Sequence, residues 1–115
     1  MTSSTGFRAG DVVRVSFIFT SQTGAKVRPA VVISSGAFHA SRADVIMMPL
    51  STQTAGYFGD RPLLDWQAAG LPRASHIKAV VQTIARSAIS GRFGKLTMRD
   101  IQQVKDTIAA VIELP

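Results

Sequence analysis

The sequence predicts a mainly β domain with one C-terminal helix, arranged as a small barrel or a two-sheet sandwich. Three observations carry that class. Short β-branched runs recur between polar, glycine-bearing loops, a helical period occurs only near the C-terminus, and the strand–helix–strand alternation of a parallel α/β fold is missing. The 115 residues, 46% of them hydrophobic, with a mean hydropathy of +0.21, suffice for one core without metal or disulfide staples. The expected organisation is a flexible N-terminal lead over residues 1–9 and a single domain over residues 10–115.

Each element follows from a local pattern. Gly10-Asp11 is the turn that launches the fold. From Asp11, DVVRVSFIF alternates, with Val13, Val15 and Phe17 on one face and Val12, Arg14, Ser16 and Ile18 on the other, which predicts a strand about half buried. Thr20 to Val27 reads as a polar loop, after which Arg28-Pro29 opens a second strand, AVVIS, with Pro29 at the strand start or on an edge. Ser34 to Arg42 holds a short turn or one helical turn. ADVIMMPL is a third strand ended by Pro49, and Ser51 to Arg61 is again a polar loop, carrying Tyr57 and Phe58. PLLDW reads as a short fourth strand, QAAGL as a turn or single helical turn, and SHIKAVVQTIAR as two strands or one bent strand. Gly91 and Gly94 punctuate the chain around Phe93. From Thr97 to Leu114 the period changes: Thr97 and Asp100 have the spacing of a capping box, and Ile101, Val104, Ile108, Val111 and Ile112 recur at helical intervals. The tally is about six strands and one long helix.

Composition excludes several chemistries. With no Cys there is no disulfide scaffold, thiol nucleophile, Cys-containing zinc site or iron–sulfur cluster, and His39 and His76 cannot build a metal centre alone. The first residues are polar and no apolar run approaches a membrane span, so a soluble cytoplasmic protein without membrane contact is expected. Thirteen Lys+Arg against seven Asp+Glu give a formal net charge of +6. Such a surface attracts polyanions. Nine of the cations are Arg (Arg8, Arg14, Arg28, Arg42, Arg61, Arg73, Arg86, Arg92 and Arg99), whose planar fork pairs with phosphate oxygens and stacks on bases, although they form no basic run.

Phosphate-cradling P-loops, G-x-G-x-x-G, G-x-S-x-G and H-E-x-x-H are all missing. A Mg²⁺-dependent nuclease site would have to gather the scattered Asp11, Asp44, Asp60 and Asp65. What remains is Arg, Ser/Thr and His at strand ends. Arg28, stiffened by Pro29, can stabilise charge on a phosphoryl group or simply make a surface ion pair with Asp44 or Asp60. Ser51 and Thr52 can hold a phosphate or cap a turn. His76, with Arg73 and Ser75 beside it, is a general acid or base or a structural residue; His39 has less around it. Tyr57 and Phe58 stack on unpaired bases or plug the end of the barrel. Trp66 reads as core or interface.

The ordered segments GDVVRVSF, KVRPAVVIS, DVIMMPLSTQ, LLDWQAAGL and GKLTMRDIQQVKDTIAAVI resemble the MazF/PemK-type toxins of bacterial type II toxin-antitoxin systems, from about Gly10 to the end of the chain. The resemblance implies a small SH3-like β-barrel of the CcdB/PemK/MazF kind, usually a homodimer, acting as a cofactor-free, metal-independent, sequence-specific endoribonuclease on single-stranded RNA. In that family the ribose 2′-hydroxyl attacks the adjacent phosphate, leaving a 2′,3′-cyclic phosphate and a 5′-hydroxyl, and a cognate antitoxin neutralises the enzyme. The family's R-P arginine matches Arg28 and its hydroxyl after the third strand matches Ser51, so these are the expected catalytic pair. His76, Arg73 and Thr52 are further candidates for catalysis or RNA binding, and Gln22, Lys26, Gln53, Tyr57 and Arg61 lie in the segments that would select RNA. Three departures stand out. No Glu precedes the R-P arginine in the stretch Gln22 to Lys26, Ser75 stands where some members have an Asp base, with Arg73 two positions earlier, and Ser replaces the commoner Thr at position 51. The general base is therefore His76 or no side chain at all. Two other readings remain, a non-cleaving RNA- or antitoxin-binding barrel and a gyrase poison of the related CcdB type; Arg28 and Ser51 favour the ribonuclease.

Overall fold

A computed structural model of the chain describes residues 6–18, 25–53 and 56–115. In chain order the elements are β1 (Asp11–Ile18), β2 (Ala25–Val32), α1 (Gly36–Ser41), β3 (Asp44–Ser51), β4 (Arg61–Pro62), β5 (His76–Ile77), β6 (Gln82–Ala85), β7 (Ile89–Lys95) and α2 (Met98–Val111). The sheet is antiparallel throughout and runs β4-β5-β3-β2-β1-β7, with β6 also on β3. β3 therefore shares one edge between two partners: Asp44 to Met47 pair with β6, and Leu50 and Ser51 pair with β5. β6 lies on the β3 edge and β7 on the β1 edge, yet only the 3₁₀ turn Arg86–Ala88 separates them. So short a connection forces β3-β2-β1 to curl until its two edges approach. The result is barrel-like, closed by a connection and not, among the described residues, by a β6–β7 ladder.

Curling gives the sheet two buried faces. The inner face holds Val13, Val15, Phe17, Ala30, Val32, Val45 and Met47, with Phe7, Ile84 and Ile89 against them. The outer face holds Val12, Val31, Met48, Leu50, Leu63, Ala69, Leu71, Ile77 and Leu96, covered by Val104, Ile101 and Ile108 of α2 and by half-buried Trp66. Val12, Val13 and Val15 are all fully buried, so β1 is sandwiched and not the half-buried strand that alternation alone suggests. Each of these valines contributes about 1.5–3 kcal/mol over an exposed one.

Several boundaries move for identifiable reasons. β2 begins at Ala25, earlier than expected, because Ala25 to Arg28 pair with Val15 to Ile18. Pro29 is tolerated inside β2 because pairing to β3 starts only at Ala30. Pro49 does not end β3, which continues to Ser51 by pairing with β5. PLLDW is not a strand beyond Pro62. The Leu64 and Asp65 backbone N–H groups donate to the two oxygens of buried Asp100, each at 2.8 Å, in place of a ladder. Asp100 is thereby taken from the expected capping box, and Thr97, though at the N-cap position, makes no side-chain cap bond and donates its hydroxyl to Asp65 at 2.6 Å. α2 ends at Val111, leaving Ile112 outside it and 46% exposed. Gly91 and Gly94 lie within β7 instead of bounding it; Gly94 passes so close to the Ala69 carbonyl that a Cβ there would sit 2.6 Å from its oxygen. Of the expected lead, residues 1–5 lie outside the described residues, while Phe7 packs on the inner core and the Arg8 backbone N–H donates to Asp11 at 2.9 Å.

Candidate active site

The strand registers build the site. β2 and β3 pair as Val32 with Met47, Val31 with Met48 and Ala30 with Pro49. Continued two residues further, that register sets Arg28 opposite Ser51. Ser51 in turn pairs with His76 of β5, and His76 with Pro62. Opposed residues on neighbouring strands share a face, so Arg28, Ser51 and His76 form one row across β2, β3 and β5. Alternation gives Arg28 the face of Ala30 and Val32, and Ser51 that of Met47 and Val45, which is the inner face. The row is where the apolar lining of the curled sheet runs out and turns polar.

A cavity of about 160 Å³ opens at this point, lined by Phe17, Arg28, Pro49, Leu50, Ser51 and Gln82. Arg28 is exposed. The alternative of an ion pair with Asp44 or Asp60 is not realised, since Asp44 faces Arg42 at 3.8 Å and Asp60 holds Lys78 at 2.7 Å. Ser51 does cap a turn, its Oγ accepting the Gln53 backbone N–H at 3.1 Å, and this leaves its hydroxyl hydrogen available to donate. Gln82 Oε1 and His76 Nδ1 are buried with no hydrogen-bond partner, an arrangement that costs about 1–3 kcal/mol for each such group. Sequence reasoning missed Gln82. Its signal is that Gln82 alternates onto the face of Ile84, which packs on the inner core, so an amide stands in an apolar row.

The other candidate residues spread outward from the cavity. Neither Arg73 nor Thr52 lines it; Arg73 is exposed in the loop before β5, its carbonyl accepting the Ser75 hydroxyl at 2.9 Å. Lys26 is exposed on β2, two residues before Arg28 and therefore on its face. Gln53 is exposed just beyond Ser51. Arg61 pairs with Ile77, and its Nε is buried and unpartnered. Tyr57 and Phe58 do not plug the barrel end: they are 71% and 79% exposed. Gln22 lies outside the described residues. His39 is 1% exposed, with Nε2 2.6 Å from Ser34 Oγ and Nδ1 3.1 Å from the Phe7 carbonyl. A carbonyl only accepts, so Nδ1 carries the hydrogen and the ring is a strut between segments.

The carboxylates are held apart. Asp11 faces Arg92 at 3.2 Å, Asp44 faces Arg42, Asp60 faces Lys78, and Asp65 takes the fork of Arg99 at 2.8 Å. They do not gather into the paired-carboxylate site considered from the sequence. Hydrogen bonds from Arg99 and Thr97 lower the Asp65 carboxyl to about 2. Burial pushes the Asp60 carboxyl up, but Lys78 and the Ala79 backbone N–H outweigh it and hold the group below its ordinary value.

A curled antiparallel sheet covered by one C-terminal helix is the mainly β architecture expected from the sequence. The chain belongs to the PemK-like, MazF-like toxins of type II toxin-antitoxin systems, whose family model matches residues 8–112. Among solved structures it is similar to an endoribonuclease in complex with its cognate antitoxin from a mycobacterial species, at 18% identity and TM-score 0.76 over 96% of this chain and 98% of that one. It is also similar to the MazE-MazF complex of Deinococcus radiodurans, at 18% identity and TM-score 0.74 over 91% and 94% of the two chains. A third likeness is to the Mycobacterium tuberculosis toxin MazF-mt6, at 17% identity and TM-score 0.68 over 84% and 91%. No curated protein sequence matches the chain.

Proposed function

We propose that this toxin is a metal-independent endoribonuclease that cleaves single-stranded RNA in the cytoplasm. The observation that carries the reading is the row of Arg28, Ser51 and His76, of which Arg28 and Ser51 line a cavity together with Gln82, whose Oε1 is buried and unpartnered. A phosphate seated at the cavity meets the Arg28 guanidinium and the Ser51 hydroxyl hydrogen. The adjacent 2′-oxygen attacks phosphorus and loses its proton; the P–O5′ bond breaks and O5′ gains one, leaving a 2′,3′-cyclic phosphate and a 5′-hydroxyl. Arg28 stabilises the pentavalent phosphate, an electrostatic role that is often the largest single contribution to such a step. Ser51 fixes the phosphate oxygen, Gln82 offers an acceptor to the ribose or base, and His76, next to Ser51, is the candidate proton carrier. Lys26, on the face of Arg28, and Thr52 and Gln53, which follow Ser51, are the nearest further RNA contacts, with Arg73 and Arg61 as more distant ones.

The relatives solved with an antitoxin support a cognate antitoxin here, presenting an acidic segment to this basic surface and folding as it binds. A homodimer is also proposed. Gly59 lies against Ala79 and Val111, and the exposed apolar residues next to these in sequence, Phe58, Val80 and Ile112, are the candidate face for a second copy.

The test is incubation with a long single-stranded RNA in EDTA, with mapping of new 5′ ends. Cleavage that persists in EDTA and is lost in Arg28→Ala supports the reading. Cleavage abolished by EDTA contradicts the metal-free mechanism, and intact RNA with arrested gyrase transfers the chain to the CcdB type. RNA binding is expected to weaken as salt rises, with a slope set by the number of phosphate contacts.

A further inference from the structure

We propose that Asp60 and Lys78 form a clamp that holds Tyr57 as a stacking platform for one unpaired base beside the cleft, making Asp60 and Lys78 positioning residues for RNA binding. The proposal rests on the ribonuclease reading and adds to it the device that presents the base-binding surface.

Tyr57 to Asp60 is a tight turn: the Asp60 backbone N–H donates to the Tyr57 carbonyl at 3.1 Å, and Gly59 has φ +88°, the type II geometry in which the third residue is left-handed. The turn is seated, since a Cβ on Gly59 would lie 2.7 Å from Val111 and 2.9 Å from Ala79. Asp60 then reaches under the turn. Its Oδ1 accepts the Ala79 backbone N–H at 2.8 Å and its Oδ2 accepts Lys78 Nζ at 2.7 Å. Both side chains are largely buried, at 6% and 19% exposure, which makes this pair unlike an ordinary surface ion pair. The Lys78 ammonium also lies 5.2 Å from the centre of the Tyr57 ring, within cation–π range. Tyr57 is nevertheless 71% exposed, so its ring is held by a cation while most of its surface faces solvent.

The clamp connects directly to the cleft. Lys78 follows His76 by two residues, and its backbone N–H donates to the carbonyl of cavity-lining Pro49 at 2.9 Å. An exposed aromatic ring braced by a residue whose backbone is hydrogen-bonded to the cavity lining is what a single strand needs, because every base has a face to stack whatever its sequence.

The experiment measures kcat and KM on a short single-stranded RNA carrying one mapped cleavage site, and repeats the measurement with abasic sites placed singly on either side of it. Tyr57→Ala and Lys78→Met are expected to raise KM about tenfold, the scale of one lost base stack, with the effect falling on KM and not on kcat. Tyr57→Phe and Lys78→Arg are expected to restore KM. At one flanking position an abasic site should raise the wild-type KM and erase its difference from Tyr57→Ala, which a merely structural role would not produce. Should wild type and Tyr57→Ala share the same KM, or should the difference survive every abasic site, the clamp is overturned while the ribonuclease stands. A wild-type chain that neither cleaves nor binds single-stranded RNA overturns both.

Discussion

Two polar clusters in this molecule are built from similar side chains and end in opposite states. At the start of α2, Asp100 accepts two backbone N–H groups, and Asp65 accepts the Thr97 hydroxyl and the two-pronged fork of Arg99. At the open end of the sheet, Arg28 stands exposed at the cavity, and Gln82 Oε1 and His76 Nδ1 are buried without partners. The first cluster has spent its hydrogen-bonding capacity on holding the segment from Leu63 to Leu71 against the helix. The second retains capacity that folding does not use. A buried unmatched acceptor destabilises a fold, and under the proposed function a ligand in the cleft would complete its bonding.

The largest contrast is expected from Arg28→Ala. It should lower RNA cleavage by roughly 10²- to 10³-fold, the scale of losing one transition-state donor, yet leave thermal unfolding almost unchanged because Arg28 is exposed on a strand. Asp100→Ala should do the reverse. Removing a fully buried carboxylate that satisfies two backbone donors is expected to cost about 3 kcal/mol in a denaturant titration, with any chain that stays folded keeping a normal kcat. Gln82→Met sharpens the comparison further. Stability should hold or rise by about 1 kcal/mol as an unpartnered acceptor disappears, while cleavage falls; a loss of stability instead would show that Gln82 serves the core.

The smallest effect is a pH dependence. With Asp65 lowered to about 2 by Arg99 and Thr97, below an unfolded value of about 4, the junction contributes stability above that unfolded value. The contribution is lost as the pH falls from about 4 toward 2, the direction for a depressed carboxyl. Melting curves across that window should show a step in the wild type that is shallower in Asp65→Asn. Because the group is solvent-accessible, raised salt should flatten the same step.

Much of the fold was legible locally. β1, the core of β2 and β3, the short α1 and the α2 stripe of Ile101, Val104 and Ile108 follow from period and β-branching, and the family resemblance singled out Arg28 and Ser51. The misread elements share one cause, competition from a distant partner. PLLDW has strand composition, but Asp100 offers its N–H groups a charged acceptor 35 residues away. Thr97 and Asp100 have capping-box spacing, but each was engaged by the Leu64-Asp65 segment. Gln82 faces the inner core only because its strand pairs with β3 at Met47, which neighbours in sequence do not reveal.

By itself, then, the sequence determined which segments extend, which one coils, and that a basic, cysteine-free surface surrounds a few hydroxyls and imidazoles, because those properties depend on residue type and on neighbours a few positions apart. Only the tertiary structure decided that Arg28, Ser51 and His76 share a row, that Gln82 joins them, and that Asp60 and Lys78 brace Tyr57. The row and the place of Gln82 beside it are set by strand register, and a slip of one residue would turn those side chains to the opposite face. The brace on Tyr57 comes instead from docking the Tyr57–Asp60 turn against Lys78 and Ala79 after β5.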